Sequence, residues 1–139
     1  MILIDLNVLL DVIQQREPHY RASAAVLDQV IHRQKQGAVA GHAVTTIHYL
    51  VGRYNNNSVA DQVVAWLLKH FSVAAVGHAE LLRAQGLGWP DFEDAVVAAA
   101  AETLGCDCII TRNVRDFRHS PVSALTPDEY LLQPEPPAP

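Results

Sequence analysis

Short, continuously apolar runs alternate along this chain with longer stretches at helical spacing, and few folds accept that pattern. Ile2-Leu3-Ile4 and Cys108-Ile109-Ile110 are apolar at every position. A strand with one wet face would alternate, so these read as strands buried on both faces, as in a parallel sheet. The predicted order is strand 2–5, helix 7–15, helix 20–35, strand 38–41, helix 43–54, helix 58–70, strand 72–76, helix 78–86, helix 91–104 and strand 107–110. A short helix and a closing strand near 122–125 complete it. Strands that take turns with helices imply an α/β fold, its parallel sheet covered on both faces by right-handed crossovers.

Local signals set the expected boundaries. Asn7 is read as the cap of the first helix and Ser58 as the cap of the fourth; Pro18 breaks the chain before the second, and Gly105 ends the helix that follows Asp91. Val59, Val63, Leu67 and Phe71 form a stripe for core packing. The small residues Ala98 to Ala101 let their helix approach the sheet closely and hold Asp94 near the strand ends. With 139 residues, half of them apolar, the chain suffices for one domain over 1–132. The segment 133–139, rich in proline, is expected to be a disordered tail. No apolar run is long enough for a bilayer and no basic leader opens the sequence, so a cytoplasmic protein without membrane contact is expected. Cys106 and Cys108 flank Asp107 and are read as reduced strand residues.

The acids carry the chemistry. Asp5 follows the first apolar run and Asp116 closely follows the last, so both belong at the carboxyl edge of the sheet, where open α/β folds place their sites. Carboxylates gathered there need a cation, and oxygen donors suit Mg²⁺ or Mn²⁺ rather than zinc. Asp5, Asp94 and Asp116 are the candidate metal-binding and catalytic acids. Asp91 and Asp94 stand three apart on one helix face; taken alone, Asp91 is an N-cap with Asp94 at the capping-box position. Asn113 is a turn residue or a supporting group. Asp11, one helical turn beyond Asn7, is equally a group behind the ligands or a surface acid. Glu93 is expected to face away from Asp94 into solvent. Thr45, Thr46 and His48 follow the second strand, and helical geometry separates His42 from His48.

The net charge of −5 argues against a chain that wraps nucleic acid with a broad basic surface. Local contact is still open to Arg112, Arg115 and Arg118, which are either a solvated helix face or phosphate contacts. No glycine-rich phosphate loop follows the first strand, and no Ser or Cys nucleophile has a matched base.

Taken together, Ile4-Asp5-Leu6-Asn7-Val8-Leu9-Leu10-Asp11, Asp91-Phe92-Glu93-Asp94-Ala95, Gly105-Cys106-Asp107-Cys108-Ile109-Ile110-Thr111-Arg112-Asn113 and Asp116-Phe117 resemble the PIN-domain family of metal-dependent ribonucleases. The resemblance implies a three-layer α/β/α fold with a parallel sheet of about four or five strands. It also implies Mg²⁺ or Mn²⁺ on Asp5, Asp94 and Asp116, with Asn7, Asp91 and Asn113 in support and Thr111, Arg112 and Arg115 toward substrate. RNA is the implied substrate, with an antitoxin protein and a second copy of the chain as the implied partners. Many nucleases of this family carry a Glu early in the helix after the second strand, whereas this chain has Thr45-Thr46-Ile47-His48-Tyr49-Leu50 and no acid between Asp28 and Asp61. Three alternatives follow: Asp91 replaces it, the site holds a single metal, or the domain binds RNA or protein without cutting.

Overall fold

A computed structural model describes residues 1–134. The elements are β1 Ile2–Ile4, α1 Leu6–Ile13, α2 Tyr20–Ile31, β2 Gly37–Ala40, α3 Gly41–Tyr54, α4 Asn57–His70, β3 Ser72–Ala74, α5 His78–Leu87, α6 Phe92–Leu104, β4 Cys108–Ile110, a 3₁₀ turn Val114–Phe117, β5 Ala124–Leu125 and α7 Pro127–Leu131. All five strands are parallel, in the order β3-β2-β1-β4-β5. The expected α/β architecture is present, and the expected tail falls mostly on residues outside those described.

Side-chain alternation on the strands divides the core into two faces. Ile2, Ile4, Val39, Cys108 and Ile110 pack with α1 to α4, while Leu3, Ala38 and Ile109 pack with α6. Both faces are dry, which is why the strand runs are apolar at every position. Ala95 and Ala98 to Ala101 are all fully buried, so α6 lies close to the sheet on one side and to α5 on the other. Gly105 closes α6 in the left-handed region, φ 78°, as expected of a glycine there.

Several boundaries differ from expectation for local reasons. Helix α1 begins at Leu6, and its cap is Asp5 rather than Asn7: the Asp5 carboxylate accepts from the Leu6 amide at 2.8 Å. Helix α4 is capped by Asn56, not Ser58, through a 2.9 Å bond from the Val59 amide. Helix α2 stops at Ile31 because the backbone turns left-handed at Arg33, φ 59°. The last helix, α7, went unread although Thr126-Pro127-Asp128-Glu129 spells its start: Thr126 and Glu129 bond each other's backbone amides at 3.1 and 3.0 Å.

Strand order reverses around β1, which lies between β2 and β4, so the crevice beyond the carboxyl ends of β1 and β4 is where this topology opens a site. The register places Ile4 opposite Ile110, and the Asp5 amide donates to the Ile110 carbonyl at 2.9 Å. Asp5 and Thr111 therefore meet at the first step past the sheet.

Candidate metal centre

Asp5 is 6 % exposed and held from two directions. One carboxylate oxygen accepts the Leu6 amide, and the other accepts the Thr111 hydroxyl at 2.8 Å. Burial pushes its carboxyl above the usual aspartate range, and the charge of Glu93 adds to that. The bonds from Thr111 and Leu6 pull the other way, as does His42. Thr111 is itself fully buried and serves as a hub. Its oxygen accepts the Asn113 amide at 3.1 Å and the Asn7 side-chain amide at 3.4 Å, while the Asn7 carbonyl oxygen accepts the Arg112 amide at 3.3 Å. Asn7 and Thr111 thus tie the start of α1 to the loop after β4.

That loop then turns. The Asp116 amide donates to the Asn113 carbonyl at 2.9 Å, which winds the 3₁₀ turn and sets Asp116 on its exposed face. Asn113 contributes backbone to this turn, and its side chain does not cap it. From the opposite side, Asp91 caps α6 by accepting the Asp94 amide at 3.1 Å, so the N-cap reading of Asp91 holds. Asp94 sits in the first turn, partly buried. Its carboxyl is pushed up to about 7, by burial first and then by the negative charges of Asp91, Asp5, Asp116 and Glu93. The charges of Asp5 and Asp116 both act on Asp94, so Asp94 lies within electrostatic reach of the other two predicted acids.

Two expectations about neighbouring residues need correcting or completing. Glu93 does not point away from the site: it is 55 % exposed, yet its carboxylate lies 3.8 Å from His42 Nε2, and its charge bears on both Asp5 and Asp94. Asp11 is not a surface acid. Its side chain is fully buried, accepts the Ser23 hydroxyl at 3.3 Å and stands 2.8 Å from Arg112 Nε. Arg112 is therefore drawn onto α1, whereas Arg115 and Arg118 line a cavity of about 320 Å³ with Trp89, Pro90, Asp91, Asp116 and His119. The indole of Trp89 meets Phe117 edge to face at 5.7 Å, which makes one wall of that cavity firm.

Helix α3 brings to the site His42, which the sequence weighs only as a pair with His48. His48 turns to α4, bonding Asp61 at 2.8 Å, and the Thr45 and Thr46 hydroxyls donate back to the His42 carbonyl at 2.8 and 3.1 Å. These three are committed to helix structure. His42, two residues past β2 at the same sheet edge, faces the acids instead. Its position directly after a buried strand was the available signal.

A sequence model described as the PIN domain matches residues 1–115. The chain belongs to the PIN-domain family. The match stops one residue short of Asp116. Solved structures with this PIN-domain architecture include a toxin-antitoxin complex from Klebsiella pneumoniae, 21 % identical with a TM-score of 0.71, covering 91 % of this chain and 98 % of that one. FitAcB from Neisseria gonorrhoeae is 20 % identical with a TM-score of 0.69, over 91 % and 98 %. A sarcin-ricin loop cleaving toxin from Mycobacterium tuberculosis is 14 % identical with a TM-score of 0.62, over 78 % and 87 %. No curated protein sequence matches the chain.

A divalent cation fits this PIN domain by donor chemistry. Hard oxygens from Asp5, Asp94 and Asp116 suit Mg²⁺ or Mn²⁺, and the ring nitrogens of His42 are buried polar atoms without a hydrogen-bond partner. Among the described residues, no three His, Cys, Asp or Glu side chains converge to ligand spacing.

Proposed function

We propose that this PIN domain is a divalent-cation-dependent endoribonuclease that hydrolyses RNA phosphodiester bonds as the toxin of a toxin-antitoxin pair. The observation that carries the reading is the meeting at one sheet edge of three acid-bearing elements, with Asp5 one step past β1, Asp94 in the first turn of α6 and Asp116 on the 3₁₀ turn after β4. Asp5, Asp94 and Asp116 would hold Mg²⁺ or Mn²⁺. When bound, the cation supplies an activated water and a counter-charge for the phosphate oxygens.

The remaining work falls to the chain. Thr111 fixes the rotamer of Asp5, Asn7 and the Asn113 backbone hold Thr111, and Asp91 fixes the first turn that presents Asp94. Arg115 faces the cavity beside Asp116 and is placed to bind the RNA backbone. Arg112, bound to Asp11, orders the loop rather than reaching for substrate.

The structural relatives solved as toxin-antitoxin complexes, and the sarcin-ricin loop cleaving toxin among them, support this assignment. An antitoxin would find an apolar groove between α1 and α4, lined by Val12, Ile13, Val59, Val63 and Trp66. Exposed Tyr49, Tyr54 and Leu68 on α3 and α4 are our candidates for a homodimer face. A cytoplasmic location is part of the same proposal; among the described residues no helix is long and apolar enough to cross a membrane.

The separation of the acids favours a second reading, a domain that binds RNA without cutting it. Incubating the purified chain with structured and single-stranded RNA in Mn²⁺, in Mg²⁺ and in chelator separates the two. Metal-dependent cleavage that Asp5→Asn abolishes is the expected result. RNA binding that is independent of metal, without cleavage, would establish the second reading instead.

A further inference from the structure

His42 is an imidazole with nothing to bond. The side chain is 28 % exposed at its edge, yet both ring nitrogens are closed off from solvent and neither has a hydrogen-bond partner among the described residues. A buried polar atom left in this state costs about 1–3 kcal/mol, so such groups in folded chains usually mark a contact made with something else. Neighbouring acids do not meet the need. Glu93 Oε1 lies 3.8 Å from Nε2, beyond hydrogen-bond range, and His48, which might have paired with it, is turned to Asp61. The first turn of α3 is meanwhile held in place, because the Thr45 and Thr46 hydroxyls both grip the His42 carbonyl. The ring is thus anchored at one end and unsatisfied at the other.

Position gives the missing partner a chemical identity. The β1–β2 register sets Leu3 opposite Ala38, so Ala40 comes level with Asp5 and His42 lies just past the same edge. From α6, the Glu93 carboxylate reaches that edge, 3.8 Å from His42 Nε2, and the charges of His42 and Glu93 are both felt by Asp5. An uncommitted ring nitrogen at the edge that carries Asp5 is a donor that a divalent metal can draw in together with the carboxylates, which stand wider than ligand spacing without it, and neutral imidazole is the commonest protein ligand for such ions. A carboxylate beside a ligating histidine has its own use, since it accepts the other ring N–H and orients the ring.

We propose that His42 is a nitrogen ligand of the divalent cation held by Asp5 and Asp94, with Glu93 orienting its ring, and that this mixed donor set prefers Mn²⁺ or Co²⁺ to Mg²⁺. The proposal rests on the metal-site reading above and adds to it a ligand and a metal preference. Nitrogen donors bind first-row transition ions better than they bind Mg²⁺, which keeps to oxygen and water.

Electron spin-echo envelope modulation of Mn²⁺ bound to the full chain reads the ligand directly. We expect a coupling to a bound ¹⁴N that is lost in His42→Gln and kept in His48→Gln. By calorimetry His42→Gln weakens Mn²⁺ binding by about tenfold or more, since even residues behind the ligands contribute that much, and Glu93→Gln weakens it less. Circular dichroism shows whether each variant folds, and the wild-type spectrum needs no variant. If Mn²⁺ binds in an Asp94-dependent way but shows no nitrogen coupling, His42 is not a ligand and the carboxylate site stands without it. If none of Mn²⁺, Co²⁺ or Mg²⁺ binds the wild-type chain, the metal-site reading falls and the proposal with it.

Discussion

The two banks of the candidate site are built in different ways. On the β1–β4 bank, Asp5, Thr111 and Asn7 are buried or half-buried, and each is hydrogen-bonded to another part of the bank. On the outer bank, made by the first turn of α6 and the 3₁₀ turn that faces it, Asp94 is bonded through its amide while burial and neighbouring negative charges push its carboxyl up, and Asp116 and Arg115 stand in solvent. The first bank is core that carries one functional oxygen pair; the second is surface whose charges are held together against their preference. Such a division fits an active site in which one wall sets geometry and the other answers to ligands.

Replacing Asp5 tests the rigid bank hardest. Asp5→Ala removes the α1 cap and leaves the buried Thr111 hydroxyl without its acceptor, so we expect a loss of about 2–3 kcal/mol from those two contributions together with all cleavage. Asp5→Asn keeps an oxygen for one of the two donors and should lose cleavage with a smaller drop in stability. Thr111→Val, measured by urea unfolding, should resemble Asp5→Ala in stability because it removes the hub from the other side. Equal stability of all three variants would mean that this bank is not the rigid one.

Asp94 tests the other bank, where the expected change has the opposite sign. Folding raises its carboxyl from the 3.8 of an ordinary aspartate to about 7. Between those values the folded chain binds more protons than the unfolded one, so this group makes stability fall as pH rises from about 4 to 7, with the full penalty present above 7. Asp94→Asn should therefore raise Tm at pH 8 while leaving it nearly unchanged at pH 4. Solvent screening of a half-exposed carboxyl limits the gain to on the order of 1 kcal/mol. Added Mn²⁺ should raise the wild-type Tm at pH 8 and leave that of Asp94→Asn nearly where it was. A Tm difference between the two proteins that is independent of pH would remove Asp94 from the charged cluster.

How much of this the sequence shows differs between the banks. The apolar runs before Asp5 and before Thr111 identify their strands, and the loop order places both residues at one edge, because those signals are local. Asp91 as a cap of α6 was equally legible. Asp11 was not: its partner Arg112 is 101 positions away, and only the β1–β4 pairing brings α1 beside the loop that carries it. His42 was weighed only as a pair with His48, which helical geometry separates; that His48 is committed to Asp61 while His42 stays at the sheet edge follows from the packing of α3 on α4. Glu93 was assigned to solvent by its place on the helix, and it is exposed; what the pattern could not show is that the exposed face of that turn looks across at β2.

The arginines separate the banks by the smallest effect, and by two different readouts. Arg115 lines the cavity beside Asp116 without an ion-pair partner among the described residues, so Arg115→Ala should leave the unfolding free energy within about 0.5 kcal/mol of wild type. It should weaken RNA binding at every sequence tested and reduce the salt slope of that binding by about one. Arg112, seated on the buried carboxylate of Asp11, should behave the other way round. Arg112→Ala leaves that acid uncompensated, so unfolding should occur at lower denaturant, by more than the Arg115 variant shows, while the salt slope of RNA binding stays as in wild type. The double variant Asp11→Asn with Arg112→Ala should recover part of that loss, since the buried charge goes with its partner. A salt slope that falls for Arg112→Ala as much as for Arg115→Ala would place both side chains on the RNA and dissolve the distinction between a bank that orders the loop and one that meets the substrate.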